Sequence, residues 1–229
     1  MDSIKDILGS YPREKTMPNR INSDIAPPTY ELTLEERREQ LRLDRGISSL
    51  NHTFENFSPE NGTEAALAAF KSIAYGEDDR KMILLYGGVG NGKTHLCEAV
   101  VIALFKQGIW SKVTTMSKIM RALKQTMNPD LMISYDVLIN SYCNTQRLII
   151  DDVGMGGSGS DWEFSQLEEI VVHRYHERLF TILTTNLDVE YNPKRPDARY
   201  IPERIVSRFR DREIATIVKD MAADYRRKK

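Results

Sequence analysis

Lys93 and Thr94 close the stretch GGVGNGKT, residues 87–94, which fits the pattern G-x-x-x-x-G-K-[ST]. A buried-type apolar run precedes it and a helix-forming segment follows, the setting in which such a loop wraps phosphate. Gly87, Gly88, Val89, Gly90, Asn91 and Gly92 would turn backbone N–H groups around phosphate oxygens, with the positive end of the next helix behind them. Lys93 would reach the terminal phosphates and the Thr94 hydroxyl would ligate magnesium. His95 borders the same site, its ring expected to pack under the sheet. These residues imply a bound nucleoside triphosphate.

A second group lies in RLIIDDVGMGGSGSDW, residues 147–162, where an apolar run meets Asp151 and Asp152 and then a glycine-rich loop. Two acids at that point could hold a metal, act as a base, or merely end a strand. With a phosphate loop in the same chain, an apolar strand ending in an acid beside the loop's own strand is the usual second metal element. Asp151 then reads as the magnesium-side carboxylate, acting through water, and Asp152 as the group that orients the attacking water. The glycines of 154–159 read as a mobile connection rather than a second phosphate cradle. TTN at 184–186 ends another apolar run, and the Asn186 amide there can hold the attacking water without altering the charge. ERIVSRFRD carries Arg204, Arg208 and Arg210; on a helix, Arg204 and Arg208 share a face away from Ile205 and Phe209. That face is either functional or simply solvated.

The elements that must position these groups follow from periodicity. Helices are expected over about 61–75, 93–107, 117–127, 130–143 and 160–178, with Pro202 as the first residue of a short one through Phe209. Strands are expected at 82–86, 112–116, 147–151, 180–186 and 212–218. Runs of Ile, Leu and Val alternating with helices argue an α/β domain with a parallel sheet covered on both faces. Thr33 with Glu36, and Ser160 with Glu163, make two capping boxes. The first thirty residues differ: residues 2–8 suit one short amphipathic helix, and 11–30 hold four prolines and read as linker. The charged helix 33–45 ends at Gly46. Residues 1–50 are therefore read as a flexible N-terminal segment with short helices, either solvated or partner-binding, and 51–229 as the catalytic domain.

Bulk properties narrow the class. A net charge of −1 carries no global sign of a nucleic-acid or membrane partner. The longest apolar run, AVVIALF at 99–105, is far too short to span a bilayer. No charged-then-apolar leader opens the chain, and Cys97 and Cys143 fit no metal spacing, so a cytoplasmic protein with reduced core cysteines is expected. Charge is nevertheless uneven: residues 194–229 hold twelve Lys/Arg against six Asp/Glu. In SKIMRALKQTM, Lys118, Arg121 and Lys124 form a drifting basic stripe, while Ile119, Met120, Leu123 and Met127 turn to the core. The stripe is either a solvated face or, with no aromatic interleaving to stack bases, a site of weak and salt-sensitive phosphate contact with single-stranded DNA. His173 and His176, three apart, read as surface residues.

Taken in order, TFENF (53–57), GGVGNGKTHL (87–96), LIIDDVG (148–154), TTNL (184–187) and ERIVSRF (203–209) resemble an AAA+ ATPase, and more narrowly the DnaC/IstB-like helicase-loader group. The resemblance covers about three quarters of the chain. It implies a five-stranded core with ATP at a subunit interface, where Lys93, Thr94, Asp151, Asp152 and Asn186 serve the nucleotide in cis. Arg208 would be the arginine finger inserted into the neighbour's site. It also implies a hexameric replicative helicase as partner, weak single-strand binding near the central axis, and self-association through the ATP interface. Many family members have Glu where Asp152 stands, so slow hydrolysis, stimulated by assembly or DNA, is expected. After the last strand about eleven residues remain, too few for a helical lid, with Arg226 the sole stand-in for a lid arginine. Residues 1–50 hold no cysteine, so the zinc module of some loaders is not expected there.

Three other readings compete with an ATP-dependent helicase loader: an IstB-like transposition helper, a P-loop kinase for a small metabolite, and a non-hydrolysing ATP-binding adaptor. A kinase has no need of TTN and SRF in this arrangement. Turnover that depends on Lys93 would exclude an adaptor.

Overall fold

The computed structural model describes residues 33–59, 62–128, 133–155, 159–191, 193, 199–222 and 224, together with strands β1 (Glu14–Thr16) and β2 (Thr29–Glu31). Expectations for the helix at 2–8, for Gly156 and Gly157, and for Arg226 fall outside the described residues. β1 and β2 pair antiparallel as a separate ribbon.

The remaining elements are α1 (Leu34–Arg45), α2 (Glu64–Tyr75), β3 (Met82–Gly87), α3 (Lys93–Lys106), β4 (Lys112–Thr115), α4 (Met116–Gln125), α5 (Tyr135–Asn144), β5 (Arg147–Val153), α6 (Asp161–His176), β6 (Phe180–Thr185), α7 (Glu203–Phe209) and β7 (Ala215–Asp220). The five longer strands form one sheet in the order β4-β5-β6-β3-β7, every neighbouring pair parallel. Parallel strands need crossovers, and the helices that make them cover both faces. Side chains therefore alternate between two cores. Ile83 and Leu85 join one that includes Phe54, Phe70 and helix α3, while Met82 and Leu84 join the other with α4, α6 and α7. α1 is seated on the domain: Leu41, Ile47 and Leu50 belong to the first core, and the Arg45 guanidinium lies between the Phe105 and Trp110 rings.

Strand order differs from the expectation in one respect. The Asp151 strand β5 is not beside the phosphate-loop strand β3; β6, the strand ending in TTN, lies between them. Apolar content cannot rank strands as neighbours, since β5 and β6 are buried alike. Both capping boxes form, at Thr33 and Ser160, and Ser134 caps α5. Pro202 is the cap of α7 rather than its first residue, because its ψ of 135° is extended. Met127 is 66% exposed instead of core-facing, since α4 ends at Gln125 before the helical period reaches it.

Among the described residues one charged side chain is fully enclosed. Arg174, 0% exposed on α6, donates through Nε to Thr181 Oγ1 (2.9 Å). Its Nη1 donates to the carbonyls of Tyr142 (2.9 Å), Cys143 (3.1 Å) and Thr145 (2.6 Å), and its Nη2 to that of Phe180 (2.7 Å). Burial lowers its pKa to about 10. It ties the end of α5 and the start of β6 to α6.

Candidate functional site

The carboxyl ends of β3, β5 and β6 open on a cavity of about 670 Å³, bounded on its far side by His52, Asn56 and Phe57 of the segment before α2. That volume suits one nucleotide. The phosphate loop Val89–Gly92, with Lys93, Thr94 and His95, forms one wall, and Asp152, Met155 and Asn186 face it. Two glycines are required by close approach. A Cβ at Gly87 would sit 2.4 Å from the Asp220 carbonyl oxygen, and one at Gly92, where φ is +90°, 2.7 Å from the Phe57 ring.

Lys93 is 6% exposed and is held by its own loop: Nζ donates to the carbonyls of Gly87 (3.1 Å) and Gly88 and to Asn91 Oδ1 (2.8 Å). Burial pulls its pKa down, while the carboxylates of Asp220, Asp151 and Asp152 act in the opposite sense. The Thr94 hydroxyl donates to Asp151 Oδ2 at 2.7 Å, so α3 and β5 meet here although their strands are not neighbours. Thr184 completes the arrangement. Its hydroxyl donates to Asp151 Oδ1 and accepts the Asp152 N–H at 3.3 Å, fixing both acids from the intervening strand. The sequence reading weighed only Asn186 in TTN; the work of Thr184 depends on strand order and was invisible without it.

Asp152 differs from its neighbour. A register shift between Ile150 and Val153 turns it out of the ladder, with φ +55°, onto the cavity wall. That is a left-handed backbone, uncommon outside glycine and tolerated best by Asn and Asp. Asn186 lines the same space, and its Oδ1 is buried with no hydrogen-bond partner. The donor set suits magnesium. Thr94 and Asp151 offer hard oxygens at one point.

His95 is not under the sheet. As the third residue of α3 it faces the lead-in segment, where its Nε2 bonds the Thr53 carbonyl (2.8 Å) and its ring stacks on His52 at 4.6 Å and meets Phe57 edge-on. Burial lowers its pKa, and the Thr53 bond opposes that. Glu98, one turn on and 2% exposed, accepts the N–H groups of Ser48 (2.7 Å) and Ser49 (3.2 Å) and lies 2.7 Å from His52 Nδ1. It latches the lead-in segment to the phosphate-loop helix. Nothing in the local sequence marked it, because its partners are about fifty residues away.

The basic stripe is uneven. Lys118, Arg121 and Lys124 are all exposed, but only Lys124 is engaged by an acid among the described residues, its Nζ lying 2.9 Å from Glu163 Oε1 and over the Trp162 ring. Glu163 also accepts the N–H groups of Gly159 and Ser160 at the start of α6. Burial opposes its ionisation, but Lys124 and those N–H groups prevail and hold its pKa at about 2.

The three arginines around α7 are held differently. Arg204 pairs with Glu168 at 3.5 Å and Arg210 pairs with Glu203. Arg208 has no acid partner among the described residues: its guanidinium lies 5.6 Å from the Tyr175 ring centroid, Nη1 donates to Ser207 Oγ, and Nε is buried without a partner. Arg208 is also absent from the residues lining the cavity. His173 contacts Asn144, Cys97 and Cys143 are buried and free, and no described helix is long and apolar enough to cross a membrane.

Residues 49–183 match the family model of the bacterial DnaA ATPase domain. The replicative helicase loader DnaC of Buchnera aphidicola is 28% identical over 163 residues, covering 70% of this chain and 64% of that protein. A crystal structure of the DnaC helicase loader superposes with a TM-score of 0.59 at 24% identity, covering 75% of this chain and 97% of that one. The AMPPCP-bound DnaA of Aquifex aeolicus superposes with a TM-score of 0.61 at 23% identity, over 78% of this chain and 53% of that one. The chain thus spans less than two thirds of the length of that loader from Buchnera and about half of the initiator.

Proposed function

Since the chain belongs to the family of the bacterial DnaA ATPase domain, we propose that it is an AAA+ ATPase switch that loads a replicative hexameric helicase onto DNA. The kinship with helicase loaders of the DnaC type supports the partner, and the cavity supports the chemistry. One observation carries the reading: Lys93, Thr94, Asp152 and Asn186 line one nucleotide-sized space, with Asp151 bonded behind Thr94, while Arg208 lies outside it with no carboxylate partner among the described residues.

In this reading ATP lies along the loop, and Lys93 exchanges the Gly87 and Gly88 carbonyls for phosphate oxygens. Thr94 and Asp151 would hold magnesium, which neutralises developing charge on the phosphates. Asp152, turned into the cavity, orients the attacking water, and Asn186 hydrogen-bonds it with its unpartnered oxygen. Asp reaches one methylene less far than Glu, so turnover is slow, as suits a switch stimulated by assembly or single-stranded DNA. Arg208 completes a neighbouring subunit's site, which makes self-association part of catalysis. Residues 1–50 grip the helicase, Lys118 and Arg121 make weak phosphate contacts, with Lys124 joining them once it leaves Glu163, and the protein acts in the cytoplasm.

Mixing tests the shared site. Lys93→Ala and Arg208→Ala proteins should each be inactive alone and recover ATPase activity together, because one supplies the finger and the other the intact loop. No recovery at any mixing ratio would sink the shared-site reading.

A further inference from the structure

We infer that Tyr175 is a positioning residue for Arg208, its ring serving as the shelf from which the guanidinium is presented to a neighbouring subunit. The inference rests on Arg208 acting in trans.

Among the described residues Arg204 and Arg210 each pair with a carboxylate, and Arg208 does not. An acid at that place would neutralise the guanidinium and occupy the N–H groups needed for phosphate. An aromatic face attracts the cation through its quadrupole while leaving the in-plane donors free. Tyr175 provides that face at 5.6 Å and is itself immobilised. Its hydroxyl donates to Asp211 Oδ2 at 2.7 Å. Asp211 is fixed in turn, since its Oδ1 accepts the Glu213 N–H (3.0 Å) and its carbonyl accepts those of Ile214 (3.2 Å) and Ala215 (2.8 Å). The shelf is thus tied to the turn between α7 and β7, and helix α6 carries it from the other side. His176 meets the ring edge-on at 5.4 Å. The bond to Asp211, ahead of burial, raises the phenol pKa.

The test compares Tyr175→Leu, Tyr175→Phe and Arg208→Ala in the full chain, with ATP turnover measured on a single-stranded oligonucleotide. Affinity for a fluorescent ATP analogue serves as the second readout. Tyr175→Leu should lose roughly tenfold in turnover while binding the analogue as the unaltered chain does. Adding Lys93→Ala protein, whose shelf and finger are intact, should restore it. Tyr175→Phe keeps the ring and should retain most activity. The Tyr175→Leu, Arg208→Ala double variant should be no worse than Arg208→Ala alone. Full turnover in Tyr175→Leu beside a crippled Arg208→Ala would overturn the inference. So would weakened analogue binding, or a defect that mixing does not repair, since both mark a merely structural role. Full turnover in Arg208→Ala would instead remove the finger reading itself, and the inference with it.

Discussion

Lys93 and Arg208 are two cations assigned to one triphosphate, and the chain holds them in opposite ways. Lys93 is buried and saturated by three acceptors of its own loop. Arg208 rests on a ring beside one hydroxyl, with no carboxylate partner among the described residues. The cis half is cross-tied throughout, from Thr94 to Asp151 to Thr184 to Asp152. The difference teaches where each half's free energy goes. On the proposed reading the loop is assembled before ligand arrives and only exchanges partners, whereas Arg208 would gain its hydrogen bonds when a neighbour docks.

The largest effect that would break this contrast is on Arg208. Arg208→Ala should lower assembled turnover on the order of 10³-fold with ATP affinity unchanged, and loss of ATP binding would place the residue in cis. Next comes Lys93→Ala, expected to weaken ATP binding on the order of 100-fold, about two charge-assisted hydrogen bonds, as read by calorimetry. Thr184→Val keeps the strand but removes the hydroxyl that fixes both acids. Roughly tenfold slower turnover with unchanged ATP affinity is expected, and unchanged turnover would show that the cross-tie is idle.

The smallest effects sharpen the cis side at its margin. Ser160→Ala should cost about 1 kcal/mol of stability, seen as a lower Tm. Glu163 has a native pKa near 2 against an ordinary 4.5, so its contribution is whole above about pH 4.5 and is lost as pH falls towards 2. Melting the chain and Glu163→Gln from pH 6 to 2 should show two curves that converge on acidification. A constant gap would mean that Lys124 and the α6 cap do not depend on the charge.

Much of this was legible in the sequence, wherever the signal was local. The strand-loop-helix setting of residues 87–94, both capping boxes and the buried strands follow from residues a few positions apart. What was missed depends on contacts between distant segments. Strand order placed Thr184 against both acids, the latch between Glu98 and residues 48–52 bridges about fifty positions, and Lys124 found Glu163 across two helices. His95 and Met127 went astray for a local reason, because one helical turn decides which way a side chain faces.

Arg174 bears on how the domain comes together. Its five hydrogen bonds draw on the end of α5, the residue after it, and the first two residues of β6, and no acid among the described residues pairs with it. A chain in which any one of these segments had not yet docked would bury a cation whose hydration was gone and whose carbonyls had not arrived. Intermediates of that kind are disfavoured, which leads us to expect α5, α6 and β6 to close as one cooperative unit. Their amide protons should exchange with solvent together, in a single opening event, while the amides of α1 on the opposite core exchange on their own schedule.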